Sequence, residues 1–313
     1  MRLFGSGGRT PGWLCINLMR DRVDISHVRP ADGGKPEILL CDSYRKEGDE
    51  VTTLARLRRE LQLDRYRCTT LLKSGEYQMV QVEAPNVPAA EAKTAVRWRI
   101  KDMIDYPVET ATVDAVFIPA AAGAAGHSPQ MFVVAAKNDV IAATVRPFNE
   151  ADIALDVIDV PELAQRNLAQ RYEEEGRGLA FLGFDESGGL LTFTCGGELY
   201  QYRRIDVPLA NFAGAGTELR QGSYDRIVLE LQRSLDHFDR QFRHMAISSV
   251  LISPVPGAED MRDYLAANLD VPVAVLDLSR AADFPRVPEL REPERQAQCL
   301  HAIGAALRED GTV

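Results

Sequence analysis

The side chains able to do chemistry in this 313-residue chain are scattered rather than gathered. Five cysteines, Cys15, Cys41, Cys68, Cys195 and Cys299, include no CxxC pair and mostly stand in apolar surroundings, so they read as reduced packing residues and not as zinc ligands. His237 and His244 share a helical face, but seven residues at ~1.5 Å rise put them about 10 Å apart, too far to share a metal. His27, His127 and His301 are isolated. Acid pairs such as Asp156 with Asp159, or the run 173–175, have the types needed for general acid and base, yet among 46 acidic residues such pairs are expected without any function. The Walker phosphate-binding pattern, HExxH, GxSxG and a dinucleotide GxGxxG are all missing, and the Gly-Ala-Gly at 214–216 is a loop. One cationic run stands out. Lys93, Arg97 and Lys101 recur every four residues on one helix face beside Trp98, in a molecule of formal charge -10. A chain so acidic repels a phosphate backbone, so nucleic acid is not expected as a partner.

The elements that must position these residues show two matching stretches. The first reads as strands over 14–19, 23–29 and 37–44 followed by a helix over 51–61, with Val23 and Ile25 alternating against Asp24 and Ser26 and a turn at Asp32, Gly33 and Gly34. The second, roughly 165 residues later, reads as strands over 179–184, 190–195 and 198–205 followed by a helix over 223–245. The shared order and turn lengths indicate a diverged internal duplication. Between them lies a β/α segment: strands over 69–73 and 79–83, a helix over 89–104 with Ala92, Val96, Ile100, Met103 and Ile104 as its apolar stripe, strands over 113–118 and 131–136, a helix over 139–149 and a strand over 154–159. A helix over 161–172 leads onward, and the last third alternates helices over 223–245, 258–268 and 294–308 with strands over 250–253 and 273–276. The stripe Ile227, Leu231, Leu235, Phe238, Phe242 and Met245 assigns the long helix to core packing.

With 45% hydrophobic and 26% charged residues the chain is an ordinary globular sequence. Its longest apolar runs, such as 131–136 and 271–278, fall far short of the ~20 residues of a membrane helix. The Gly-rich segment 1–12 carries Arg2 and Arg9 but no apolar run of signal-peptide length. A cytoplasmic protein is expected, with direct membrane insertion excluded.

Three phrases carry a family resemblance: APNVPAAEAKTAVRWRIKDMIDYPVETATVDAVFI, VVAAKNDVIAATVRPFNEADIALDVIDVPELA and YDRIVLELQRSLDHF. In order and spacing they resemble the PilM/MshI proteins of type IV pilus biogenesis, the MshI branch being named for the mannose-sensitive haemagglutinin (MSHA) pilus. The cytoplasmic domain of the type II secretion protein GspL is a related cousin that continues into a membrane helix, which is not expected here. The resemblance implies an α/β chain of the actin-like ATPase fold, with two ribonuclease-H-like halves and an FtsA/PilM-type inserted subdomain. The expected division is 13–83 plus 160–176 for the first half, 84–159 for the insert and 177–308 for the second half.

The resemblance also shows which chemistry to look for. Actin-like ATPases hold nucleotide between their halves on glycine-bearing hairpins, where backbone amides approach the phosphates, and use an aspartate to direct the metal. The first hairpin of PilM-type sequences reads DIGSSSVK, and the matching positions here run from Asn17 to Asp24, with Met19 in place of the glycine and Asp24 in place of the lysine. A methionine then stands where phosphate would lie, and Asp24 is expected to add repulsion. The second hairpin, VDIG in the family, reads Leu182-Gly183-Phe184-Asp185, its acid and glycine exchanged. The glycine pair on the adenosine side appears as Pro254-Val255-Pro256-Gly257, while Glu230 and Arg233 match positions near sugar and base. The expectation is a pseudo-ATPase whose vestigial cleft comprises Asn17, Met19, Asp24, Gly183, Asp185, Glu230 and Arg233, with no cofactor and with ATP and magnesium disfavoured.

As the resemblance implies, the partner is a PilN-type single-span inner-membrane protein, whose cytoplasmic N-terminal peptide enters a groove bordered by Val80, Val82, Lys93, Arg97, Trp98 and Lys101. The chain would then be a scaffold of the pilus assembly platform, peripheral to the inner membrane through that partner; other platform components and a homodimer stay open. Charge reversal at Arg97 and Lys101 is expected to weaken docking while leaving the melting temperature nearly unchanged. Two other readings also stay open: an ATP-binding actin-like regulator of pilus or type II secretion assembly, and an unrelated cytosolic α/β enzyme.

Overall fold

The computed structural model describes residues 9–31, 33–119, 129–212 and 216–309. His127, Gly214, Ala215 and Asp32 of the expected turn therefore lie outside the described residues. The chain opens with β1 (Trp13–Leu18), β2 (Arg22–Arg29), β3 (Glu37–Arg45), α1 (Glu50–Leu61) and β4 (Arg67–Leu71). Asp49 caps α1 by accepting the Thr52 amide at 2.8 Å, and Leu54 and Leu57 of α1 bury fully against the sheet. Next come β5 (Tyr77–Glu83), α2 (Ala89–Arg99), β6 (Ala111–Ile118), β7 (Gln130–Lys137), α3 (Asn138–Glu150), β8 (Leu155–Asp159) and α4 (Pro161–Ala169). The remainder is β9 (Gly178–Asp185), β10 (Gly188–Cys195), β11 (Glu198–Ile205), α5 (Thr217–Gln241), β12 (Ile247–Ile252), α6 (Ala258–Asn268), β13 (Val273–Val275) and α7 (Pro293–Ala306).

Two five-stranded sheets have the same order and directions, β3-β2-β1-β4-β8 and β11-β10-β9-β12-β13, each with an antiparallel meander on one side and parallel strands on the other. These are the two expected ribonuclease-H-like halves. A three-stranded sheet, β5-β7-β6, forms the insert.

The pairing moves two strands relative to the expected division at 84–159. β5 pairs with β7 and so belongs to the insert sheet, whereas β8 pairs with β4 and completes the first half. One face of the insert sheet, with Val82, Ala115, Met131 and Val133, buries under Ala92 and Val96 of α2 and Ile100 just past its end. The other, with Tyr77, Met79, Ile118 and Phe132, joins the core of the second half. A strand buried on both faces reads as continuously apolar, which is why β7 gave no sign of its two environments.

The helices are exchanged between the halves. α4 packs on β9, β10 and β11 of the second sheet, although 160–176 was assigned to the first half; α7, assigned to the second, packs on β1, β2, β3 and β4 of the first. The two helices meet between the sheets. Gly304 of α7 permits that contact, since a Cβ there would stand 2.2 Å from Ala164 O. A second tie joins Ile38 N–H to Asp283 O at 2.7 Å and Asp283 N–H to Pro36 O at 2.9 Å, so the β3 end of the first half is held by a segment that follows β13.

Two helix boundaries differ from expectation. α2 ends at Arg99, and Met103, expected in the apolar stripe, is 48% exposed, while Ile100 and Ile104 remain buried. α5 begins at Thr217 and ends at Gln241, so Phe242 and Met245 pack from beyond its end.

Candidate functional site

Two hairpins meet at the junction of the halves. The β1–β2 turn is closed by Met19 N–H donating to Arg22 O at 3.0 Å. At the β9–β10 turn, Asp185 Oδ1 accepts the Ser187 amide at 2.7 Å and the Ser187 hydroxyl, the local bond that favours aspartate in turns. Between the hairpins, residues 71–74, Pro161 of α4 and His301 of α7 lies a cavity of about 420 Å³.

Three of the seven expected cleft residues line it. Asn17 and Met19 do so from β1 and its turn, joined by Asn17 Nδ2 donating to Met19 Sδ at 3.2 Å, and Asp185 does so from the opposite hairpin. Asp24 lies directly across from Asn17 in the hairpin register, but its carboxylate is fully buried, receiving Arg22 Nε at 3.0 Å and the Ser43 hydroxyl. Burial outweighs these bonds and lifts its carboxyl above the ordinary range. The expected repulsion from Asp24 is corrected accordingly: it does not line the cavity, and Arg22 meets its charge.

Gly183 is likewise absent from the lining. A Cβ there would stand 2.4 Å from Gln165 Oε1, while Gln165 Nε2 donates to Phe181 O at 2.8 Å, Leu190 O at 3.0 Å and Thr192 Oγ1 at 2.9 Å. That glycine makes room for a side chain of α4. Glu230 and Arg233 on α5 are not brought to the cavity either; Glu230 accepts from Arg203 at 2.8 Å and Arg233 at 3.2 Å, and the Arg203 bond leads in holding its carboxyl below the ordinary range.

A polar cluster that sequence reasoning missed stands behind Asp185. Arg204 of β11 donates through Nη1 to Asp185 Oδ2 at 3.1 Å, through Nη2 to Glu162 Oε1 at 3.0 Å and through Nη2 to the Tyr77 hydroxyl at 3.2 Å. Tyr77 in turn donates to the other oxygen of Glu162, a carboxylate only 1% exposed. Burial works against the charge on Arg204, but Glu162, Tyr77 and Asp185 more than offset it, so the guanidinium is held charged. Burial would also lift Asp185, yet His301, the Ser187 bonds and Arg204 hold its carboxyl below the ordinary range. The imidazole of His301 is pushed down by burial, and its Nε2 has no partner. The one local signal was Tyr202 and Arg204 two apart on a strand, hence on one face.

On the insert, Val80 and Val82 turn toward α2 and pack in its core rather than lining a groove. Arg97 is also corrected as a free surface charge: it donates to Val108 O at 2.7 Å and Ala111 O at 3.0 Å, holding the segment that enters β6. Lys93 pairs with Asp114 at 2.7 Å, and Lys101 lies exposed past the end of the helix. Trp98 is 69% exposed on the outer face of α2, so its indole packs no core. β5 is an edge strand of its sheet, yet the Met79 carbonyl accepts the Tyr202 hydroxyl and the Glu83 carbonyl accepts Arg99 Nη1 at 3.0 Å, which blunts that edge.

The acids singled out as possible catalysts have structural partners. Asp156 accepts from Arg9 at 2.7 Å and the Cys68 amide at 2.9 Å, and Asp159 accepts from Arg308 at 2.9 Å. Among the described residues no helix is long and apolar enough to cross a membrane.

No family model matches the chain, and no curated protein sequence matches it. Solved structures do. A PilM–PilN type IV pilus biogenesis complex aligns over 96% of this chain and 98% of its own, at TM-score 0.70 and 19% identity. A Bacteroides thetaiotaomicron protein with actin-like ATPase fold and unknown function aligns over 96% of this chain and 99% of its own, at TM-score 0.50 and 9% identity. Together with the paired sheets and the hairpins facing across their junction, these similarities establish that the chain has the actin-like ATPase fold.

Proposed function

We propose that this chain is a non-hydrolysing scaffold of a type IV pilus assembly platform, of the PilM/MshI kind, that docks the cytoplasmic N-terminal peptide of a PilN-type membrane protein. Such a protein would sit at the cytoplasmic face of the inner membrane through that partner. The observation that carries the docking reading is Trp98, a large aromatic left 69% exposed on the insert. Exposed aromatics of this kind are the usual anchors of an interface. Support also comes from the three sequence phrases in register and from the shared fold with the solved PilM–PilN complex. The MSHA assignment rests on the sequence phrases alone.

The non-hydrolysing reading rests on the residues at the hairpins. A phosphate cradle needs backbone amides with open space before them, and the first turn, which lines the cavity, carries Met19 and Arg20 and no glycine. A metal-directing aspartate needs free oxygens, and both oxygens of Asp185 are engaged, one by Ser187 and the other by Arg204. The residues present do not fit a magnesium nucleotide. The cavity of about 420 Å³ is the feature that favours the second reading, an ATP-binding regulator.

One titration addresses both. A labelled PilN-type N-terminal peptide is followed by fluorescence anisotropy against the unmodified protein and Trp98→Ala, with and without magnesium and ATP. Loss of the indole is expected to weaken binding about tenfold or more, with an unchanged melting temperature and no effect of nucleotide. Equal affinities would place docking elsewhere, no binding to the unmodified protein would remove the scaffold reading, and a nucleotide-dependent affinity would favour the regulator.

A further inference from the structure

The cluster behind the cleft has a composition that calls for a cation. Glu162 and Asp185 are two carboxylates reaching toward one point from different elements, the first turn of α4 and the end of β9, and Glu162 is 1% exposed. A carboxyl group as far from water as that of Glu162 needs a counter-charge and hydrogen bonds, and Asp185, 17% exposed, shares the same counter-charge. Hard oxygen ligands of this kind suit a divalent ion such as magnesium or manganese. The cation present is Arg204, whose planar fork contacts both acids at 3.0–3.1 Å. Among the described residues no group of three or more His, Cys, Asp or Glu is placed to hold a metal ion.

We propose that Arg204 is a resident counter-cation that takes, from within the protein, the place of a divalent ion in the cleft and fastens the cleft to the insert. The fastening follows from where its bonds go. Asp185 belongs to the hairpin that lines the cavity, while Tyr77 belongs to β5 of the insert sheet. Two residues earlier on β11, Tyr202 donates to Met79 O and packs edge-on against Phe132, with ring centroids 5.7 Å apart. A single strand of the second half therefore grips the cleft hairpin, the head of α4 and the insert together. An exchangeable ion would tie those three parts only while bound, whereas a covalently attached guanidinium ties them permanently. This inference concerns the cleft and stands whether or not the insert docks a peptide.

Arg204→Met keeps the aliphatic bulk and removes the charge, and Arg204→Lys keeps a charge. Thermal unfolding is followed for both and for the unmodified protein, in EDTA and then in millimolar manganese chloride. The unmodified protein and Arg204→Lys are expected to show no manganese response. Arg204→Met is expected to melt about 10 °C lower in EDTA and to regain much of that loss with manganese. Adding Asp185→Asn to it should abolish the regain. Hydrogen exchange at the amides of β5 should accelerate about tenfold in Arg204→Met and slow again with the metal. A manganese response of the unmodified protein equal to that of the variant, or a folded Arg204→Met without one, would overturn the counter-cation assignment. Unchanged exchange in β5 would overturn the fastening. Should Arg204→Met fail to fold, Glu162→Gln with Arg204→Met removes the stranded buried charge and is expected to fold without metal, and its failure to do so would also overturn the proposal.

Discussion

At the scale of single residues, Asp185 carries a pH signature of the cleft. Burial raises its carboxyl, but His301, Ser187 and Arg204 together hold it below the ordinary range. An acid depressed in the folded state contributes stability that is present above its unfolded pKa of about 3.9 and is lost as pH falls through the lower folded value. The unmodified protein should therefore lose melting temperature below about pH 4, and Asp185→Asn should be less stable at pH 7 and show a flatter acid limb. Parallel acid limbs in a melting-temperature profile from about pH 7 to pH 2 would show that the ion pair with Arg204 contributes nothing net. Asp24 behaves in the opposite sense, its carboxyl lifted by burial, so two aspartates at facing hairpins answer acid differently.

At the scale of elements, the cations on and after α2 have unequal roles despite their equal spacing. Arg97 is half-buried and binds two main-chain carbonyls, Val108 O and Ala111 O, that precede and open β6. Hydrogen bonds from a charged donor are worth about 1.5–3 kcal/mol, and its loss strands buried acceptors. Arg97→Ala should therefore lower unfolding stability by about 1–3 kcal/mol in urea titration, whereas Lys101→Ala should stay within about 0.5 kcal/mol. Equal midpoints for the two variants would mean that water replaces the guanidinium at those carbonyls. A docking test by charge reversal accordingly belongs at Lys101, with Arg97 left intact.

At the scale of the whole molecule, cooperativity between the halves depends on the crossing of α4 and α7. Gly304 is the point of closest approach, and any side chain there meets Ala164 O at 2.2 Å. Gly304→Ala must separate the helices, at a cost of about 1–3 kcal/mol. Because α7 packs on the first sheet and α4 on the second, the separation should also loosen one half from the other. Urea unfolding should then broaden or split into two steps, read by near-ultraviolet signals set against far-ultraviolet ellipticity. A single transition at an unchanged midpoint would show that the β3 tie to Asp283 suffices.

Local chemistry in the sequence determined the strands, most helix boundaries, the doubled meander and the insert, because alternation, turn glycines and apolar stripes act over a few residues. Combined with the family resemblance, which singled out Asn17, Met19 and Asp185, it led to three residues that line the cavity. It did not reveal that α4 and α7 change halves, that β5 and β8 change sheets, or that Val80, Val82 and Arg97 serve the insert's own structure. Those outcomes depend on which surface each element covers, and a β-branched strand or an amphipathic helix suits more than one. The Arg204 cluster was hidden for the same reason. Its members, Tyr77, Glu162, Asp185, Arg204 and His301, come from five separate elements, and nothing in the sequence joins Asp185 to the other four until folding removes water from around them and makes their charges answer one another.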